Sequence, residues 1–229
     1  MIPIGDDNTR RERIPFVNLG LIALNAFGFI VELGAHSQGE LESFVRYWSA
    51  IPVDYTSHAG IGGPVPWTLL TSMFLHGGWA HLIGNMIYLG IFGDNVESTL
   101  GHVRYLFFYL ACGIVGALSH IFTSPHSTVP TLGASAAISG VLAAYLLYFP
   151  RNRVLVWFFF QVFAVPALLV IGLWAVMQFI SGAGSLLSPV EGGGIAYVAH
   201  VGGFGCGLLL ALLFRPRATV GELPTDTGP

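Results

Sequence analysis

Six long apolar stretches separated by short polar breaks constrain this chain more than any other feature. They run from Ile14 to about Gly34, Ala80 to about Ser98, Val103 to Thr123, Gly133 to Phe149, Val154 to Ile180 and Ala196 to Phe214. A soluble core built from 229 residues cannot bury that much apolar surface. With 54% of its residues hydrophobic and 9% charged, the chain is expected to be an all-α polytopic membrane protein. Each stretch would be a helix that satisfies its own backbone in lipid. The first follows Arg10, Arg11 and Arg13, as a secretory leader does, but exceeds the usual leader length and is read as a retained span.

Arginine placement sets the expected topology. Lysine is absent, and with six spans Arg10, Arg11, Arg13, Arg104, Arg151, Arg153, Arg215 and Arg217 fall on one side while only Arg46 falls on the other. Positive charge stays inside, so the N-terminus is expected in the cytoplasm of a cell whose inner membrane carries the chain. This divides the chain into a cytoplasmic arm (1–13), a six-span domain (14–215) and a polar tail (216–229). The break from Ala35 to Gly78 mixes charges with Tyr47, Trp48 and Trp67. It is expected to lie in the outer interface, with Leu41 to Trp48 as an amphipathic piece. The fifth stretch is unusually long and is expected to tilt or bend at Pro166, followed by a glycine-rich loop from Ser181 to Gly194.

Ser135 follows Pro130 and Gly133 where an irregular loop becomes an apolar helix. The first amides of that helix have no intrahelical partner, so main-chain donors there can hold an oxyanion. A serine hydroxyl needs a base to become nucleophilic. His200 is the candidate, because it shares a helical face with Gly203 and Gly207, and the fourth stretch offers small residues every fourth position at Ser135, Ser139 and Ala143. Packing the two faces together would bring imidazole to hydroxyl. No acidic residue lies within the spans near either group, which points to a Ser-His dyad. His81, Asn85 and Tyr88 form a polar stripe at i, i+4 and i+7 that must face protein or water. No His-Glu-x-x-His occurs, and no two aspartates sit within spans. No metal, cofactor or nucleic-acid partner is therefore expected. Cys112 and Cys206 read as buried small side chains with no disulfide between them.

Three motifs carry a resemblance. Gly133-Ala134-Ser135, the segment His200-x-x-Gly203-x-x-x-Gly207, and His76-Gly77-Gly78-Trp79-Ala80-His81-Leu82-Ile83-Gly84-Asn85 together make the chain similar to the rhomboid family of intramembrane serine proteases, over about residues 60 to 215. The resemblance implies a six-transmembrane-helix rhomboid-like bundle that cleaves transmembrane substrates in the bilayer. It assigns the oxyanion hole to His81, Asn85 and the Ser135 amide. Small side chains beside the cut site would fit a pocket expected from Ala136, Gly140 and Gly203, and access is expected past the fifth span. His76 is expected to serve loop structure, and Glu97 with Arg104 to form a polar pair around a turn. Two positions depart from the family pattern. Ala136 stands where glycine is usual, and Thr68 follows Trp67 where many members carry arginine. The alternative is a catalytically silent rhomboid-like protein that binds membrane clients.

Overall fold

A computed structural model of the chain describes residues 2–7, 13–56, 66–187 and 197–214. Arg10, Arg11, Arg215, Arg217, the tail from Pro216 and the 188–194 part of the glycine-rich loop lie outside the described residues. In chain order the elements are β1 (Ile2–Asp6), α1 (Phe16–Ser37), α2 (Leu41–Trp48), α3 (Pro52–Thr56), α4 (Thr68–Thr71), α5 (Trp79–Leu100), α6 (His102–Thr123), α7 (Ser135–Tyr148), β2 (Arg153–Phe158), β3 (Gln161–Pro166), α8 (Ala167–Leu187) and α9 (Tyr197–Leu213). The fold is mainly helical. Phe16–Ser37, His102–Thr123 and Ala167–Gly184 are each long and apolar enough to cross a membrane. α7 and α9 are shorter apolar helices, and α5 carries the polar stripe.

α7 is the axis of the bundle. Every residue from Ala136 to Tyr145 is buried, with α5, α6, α8 and α9 around it. Small side chains on α7 permit close approach where it meets α6 and α9, while Phe92, Tyr105, Phe108, Tyr109 and Leu142 fill the interior. Glycine makes the sharpest turn possible: Gly101, at φ +79, ends α5 and starts α6 in a left-handed conformation that other residues adopt only with strain.

α1 has no capping side chain of its own, because Pro15 precedes it. Glu97 supplies the cap from α5, accepting the Val17 and Asn18 amides at 3.0 and 2.7 Å. Its third partner is His102 Nδ1 at 2.5 Å. Glu97 therefore joins α1 to the α5–α6 turn, where the sequence had pointed to a pair with Arg104. Asn18 completes this junction. Its amide nitrogen donates to the Leu89 carbonyl, and its oxygen accepts from the Tyr105 hydroxyl.

The expectation of an all-α chain is corrected by a three-stranded antiparallel sheet in the order β1-β2-β3. The first part of the expected fifth span is the β2–β3 hairpin, and the helix begins only at Ala167, after Pro166. Arg153 to Pro166 is dense in β-branched and aromatic residues, which fit a pleated surface, and Pro166 cannot sit in a helix interior. Val154 and Val156 are buried while Leu155 and Trp157 are exposed, so the period is two. The tip turns through Phe159 and Phe160 at φ 44 and 61. Part of the N-terminal arm also joins the sheet, since β1 pairs with β2 from Ile2↔Trp157 to Asp6↔Val154. Ser181–Leu187, expected in a loop, continue α8.

Asp6 docks β1 onto the bundle. One carboxylate oxygen accepts from the Tyr145 hydroxyl at 2.6 Å and from the Asn95 amide at 2.8 Å, and the other is buried without a partner. Burial pushes its pKa up to about 6, with the charge of Asp94 adding to the rise and the two hydrogen bonds opposing it. A carboxyl raised on docking holds the docked strand best when protonated. Its contribution is complete below the ordinary value of 3.8 and is lost as pH rises through about 6. Hydrogen exchange should therefore show stronger protection of the β1 amides at pH 5 than at pH 7.5, after correction for intrinsic rates. Asp6→Asn should flatten the difference, and protection that rises with pH would contradict the sign.

Candidate active site

The loop before α7 is shaped by Gly133. Its φ is +112, its amide donates to the Ser72 carbonyl at 2.8 Å, and a Cβ built on it would stand 2.8 Å from His81 Nε2. Only glycine lets the imidazole come so close to the backbone. The chain then enters α7 with Ser135 as the first helical residue, so the Ser135 amide is one of the orphan donors of the helix start.

His200 arrives from α9. Where α9 crosses α7, a Cβ on Gly203 would collide with the backbone carbonyl of Ala136, and one on Gly207 with the backbone of Gly140. With no side chains between them, the helices bring His200 Nε2 to 2.8 Å from Ser135 Oγ. Ser139 is placed differently. It is fully buried, and its hydroxyl donates to the Ser135 carbonyl at 2.7 Å.

Ser135 and His200 stand on the wall of a cavity of about 700 Å³, which His81, Asn85, Tyr88 and Trp174 also line. The polar stripe of α5 thus faces a cavity. The Gly77 amide donates to His81 Nδ1 at 3.4 Å, which leaves the ring proton on Nε2, the nitrogen nearest Gly133. Asn85 Nδ2 is buried and has no acceptor. Two side-chain donors and the helix-start amide of Ser135 thus gather around one region, as a developing oxyanion requires. If an oxyanion forms in that region, Asn85→Ala should lower kcat by about 10² to 10³ with little change in thermal stability, because Asn85 Nδ2 donates no hydrogen bond in the resting protein. A drop in stability with turnover unchanged would make Asn85 a packing residue.

Ala136, Gly140 and Gly203, expected to line a substrate pocket, lie in the helix contacts. Gly140 packs on Cys112, and Gly203 on Ala136. The methyl of Ala136 faces Gly116 of α6, which has no side chain to oppose it. The other departure is likewise absorbed, since Thr68 is buried and its hydroxyl bonds to that of Tyr55. Neighbouring threonines hold the same loops. Thr71 donates to the Trp48 carbonyl at 2.6 Å, and Thr56 to that of Pro125. His76 donates its backbone amide to both oxygens of buried Glu32, and its ring meets that of His81 edge-on.

Two residues of the site were missed in the sequence. Gln178 of α8 places Oε1 2.7 Å from His200 Nδ1, and Trp174, one turn earlier, lies 6.2 Å from the imidazole with the planes tilted by 33°. A lone glutamine in the second half of an apolar stretch was the available signal.

Apolar helices closing on a hydroxyl–imidazole contact beneath a cavity define a polytopic membrane protein with a polar site inside its bundle. Comparison with known proteins makes the class specific. The rhomboid domain family matches residues 64–217. The chain is 44% identical over 87 residues to rhomboid protease GluP of Bacillus subtilis, covering 38% of this chain and 17% of that protein. It is 34% identical over 154 residues to RHOMBOID-like protein 7 of Arabidopsis thaliana, 66% of this chain and 44% of the relative. Inactive rhomboid protein 1 of Drosophila melanogaster matches at 29% over 151 residues, 66% of this chain and 10% of the relative. The chain belongs to the rhomboid family. It spans less than half the length of each of these relatives.

Proposed function

We propose that this protein is an intramembrane serine endopeptidase that cuts transmembrane segments of other membrane proteins. The observation that carries the reading is the 2.8 Å contact between His200 Nε2 and Ser135 Oγ. His200 takes the hydroxyl proton as Ser135 Oγ bonds to the peptide carbonyl carbon. The oxyanion is held by His81, Asn85 and the Ser135 amide. As the C–N bond breaks, His200 passes its proton to the leaving amine, and water then releases the acyl-enzyme by the reverse sequence. These steps need no cofactor. Inactive relatives exist in the family, and the contact between base and nucleophile favours activity for this chain over client binding alone.

The proposal includes six spans (α1, α5, α6, α7, α8 and α9) with the N-terminus in the cytoplasm of the cell membrane. Arg13, Arg104, Arg151 and Arg153 support it, because all four belong to the end where β1, the α5–α6 turn and the hairpin meet. Arg46 belongs to α2, among the loops at the opposite end. Ser135 sits at that end as well, and opens toward the outer side. A carbonyl in an intact helix is occupied by its i→i+4 bond, so a substrate must unwind near the outer leaflet to be cut. The test is the purified protein in liposomes with a series of model transmembrane substrates. Moving a helix-breaking Gly-Pro pair from the outer to the inner third should change cleavage from efficient to absent. Equal cleavage of both would sink the proposed depth, and cleavage of neither would leave client binding as the better reading.

A further inference from the structure

We propose that Gln178 is a positioning residue that completes the Ser135–His200 pair as a triad, doing with a neutral amide what a buried carboxylate does in soluble serine hydrolases. The inference rests on the protease reading and extends it to a residue of a different helix. Neutral imidazole has two tautomers, and only the one with Nε2 unprotonated can accept the serine proton. An acceptor at Nδ1 selects that tautomer and fixes the ring plane. In the structure Gln178 Oε1 stands 2.7 Å from His200 Nδ1, while Nε2 points to Ser135. Trp174 lies 6.2 Å from the same ring with the planes tilted by 33°, and Tyr197 meets it nearly at right angles at 6.5 Å, so the imidazole has an aromatic neighbour on two sides and is tethered at its rear edge.

A carboxylate at this position would be costly. Ionised groups within an apolar bundle pay a desolvation penalty that an amide avoids, yet the amide oxygen still presents the negative end of its dipole. When the Ser135 proton moves to Nε2, the Nδ1 proton stays in place and its bond to Oε1 strengthens, which favours the imidazolium. Protons are conserved through the cycle: Nε2 gains one from the serine and gives one to the leaving amine, while Nδ1 keeps its own. Gln178 also ties the base to α8, so the geometry of His200 depends on where that helix stands.

The test compares Gln178→Met, which keeps length and removes the acceptor, with Gln178→Glu, which keeps an acceptor oxygen at the same reach. Gln178→Leu serves as a second apolar variant if the methionine protein does not fold. Two readouts are taken in liposomes and micelles: kcat and KM for a model transmembrane substrate, and the ¹⁵N spectrum of the His200 ring, assigned by its loss in His200→Gln. The apolar variants should lower kcat by about tenfold to a hundredfold at unchanged KM, as partners that orient a histidine from behind do. They should also convert a pure Nδ1–H tautomer into a mixture. Gln178→Glu should restore both, at a loss of thermal stability that reflects the burial of its carboxyl group. A rise in KM alone would mean that Gln178 meets substrate, and an unchanged tautomer would mean that it does not orient the ring; either overturns the proposal. The spectrum decides this even if no substrate is cut, so failure of the positioning role is distinguishable from failure of the protease reading.

Discussion

Ser135→Ala is expected to abolish turnover and covalent labelling together, while Ser139→Ala leaves both within a few-fold of wild type. The two serines lie one turn apart on α7, and their surroundings differ in kind. Ser135 has the His200 imidazole at 2.8 Å and a place on the cavity wall. Ser139 is fully buried, and its hydroxyl is spent on the Ser135 carbonyl. Removing a nucleophile from a serine enzyme costs on the order of 10⁶ in kcat, because base and nucleophile act as a unit. A fluorophosphonate probe should accordingly label wild type and Ser139→Ala but not Ser135→Ala or His200→Ala. Chelation with EDTA should leave the rate as it is. Labelling that persists without Ser135 would remove the assignment.

The second large effect concerns the crossing of α7 and α9. Gly203→Val should destabilise the protein by about 3 kcal/mol and eliminate turnover, because the new side chain meets the Ala136 backbone carbonyl, which has no rotamer to yield. The helices must part, and His200, one turn before Gly203, leaves hydrogen-bond range of Ser135. Gly205→Val is the matched control. A Cβ there meets nothing within 4 Å, so stability and rate should both hold. Equal behaviour of the two variants, measured by thermal unfolding and by turnover, would show that the helix contact is not what brings the base to the serine.

Much of the candidate site was legible because its residues stand in places that composition does not favour. A serine at a helix start, a histidine on a glycine face, and Asn85 one turn from His81 are all costly in lipid without a reason. The departures at Ala136 and Thr68 could not be judged in sequence, since their compensation comes from residues on other elements, Gly116 of α6 and Tyr55 of α3. Glu97 was misread for a similar reason: its partners, the amides of Val17 and Asn18, carry no side-chain signature. The hairpin was hidden by its own hydrophobicity. With Val154 and Val156 buried and Leu155 and Trp157 exposed, the period is two, yet both faces are apolar and nothing polar marks the alternation. Nor do Phe159 and Phe160 announce a turn, since turns at positive φ ordinarily use glycine or asparagine.

The sheet has a mechanical consequence for α8. Its first residues are riveted to the turn after α7, Ala167 donating to the Asn152 carbonyl at 2.8 Å and Leu168 to that of Pro150 at 3.2 Å, and β3 runs directly into them. From there α8 rises with Leu168, Leu169, Leu173, Val176 and Phe179 on an open flank. A rod pinned at one end is a lever, and the sheet is its fulcrum. Gln178 lies eleven residues along it, about 16 Å from the pin, so a tilt of only about 10° carries its amide some 3 Å. That arc is as long as the hydrogen bond to His200. A swing of that size would therefore break the hydrogen bond between Gln178 and His200, and the return stroke would make it again.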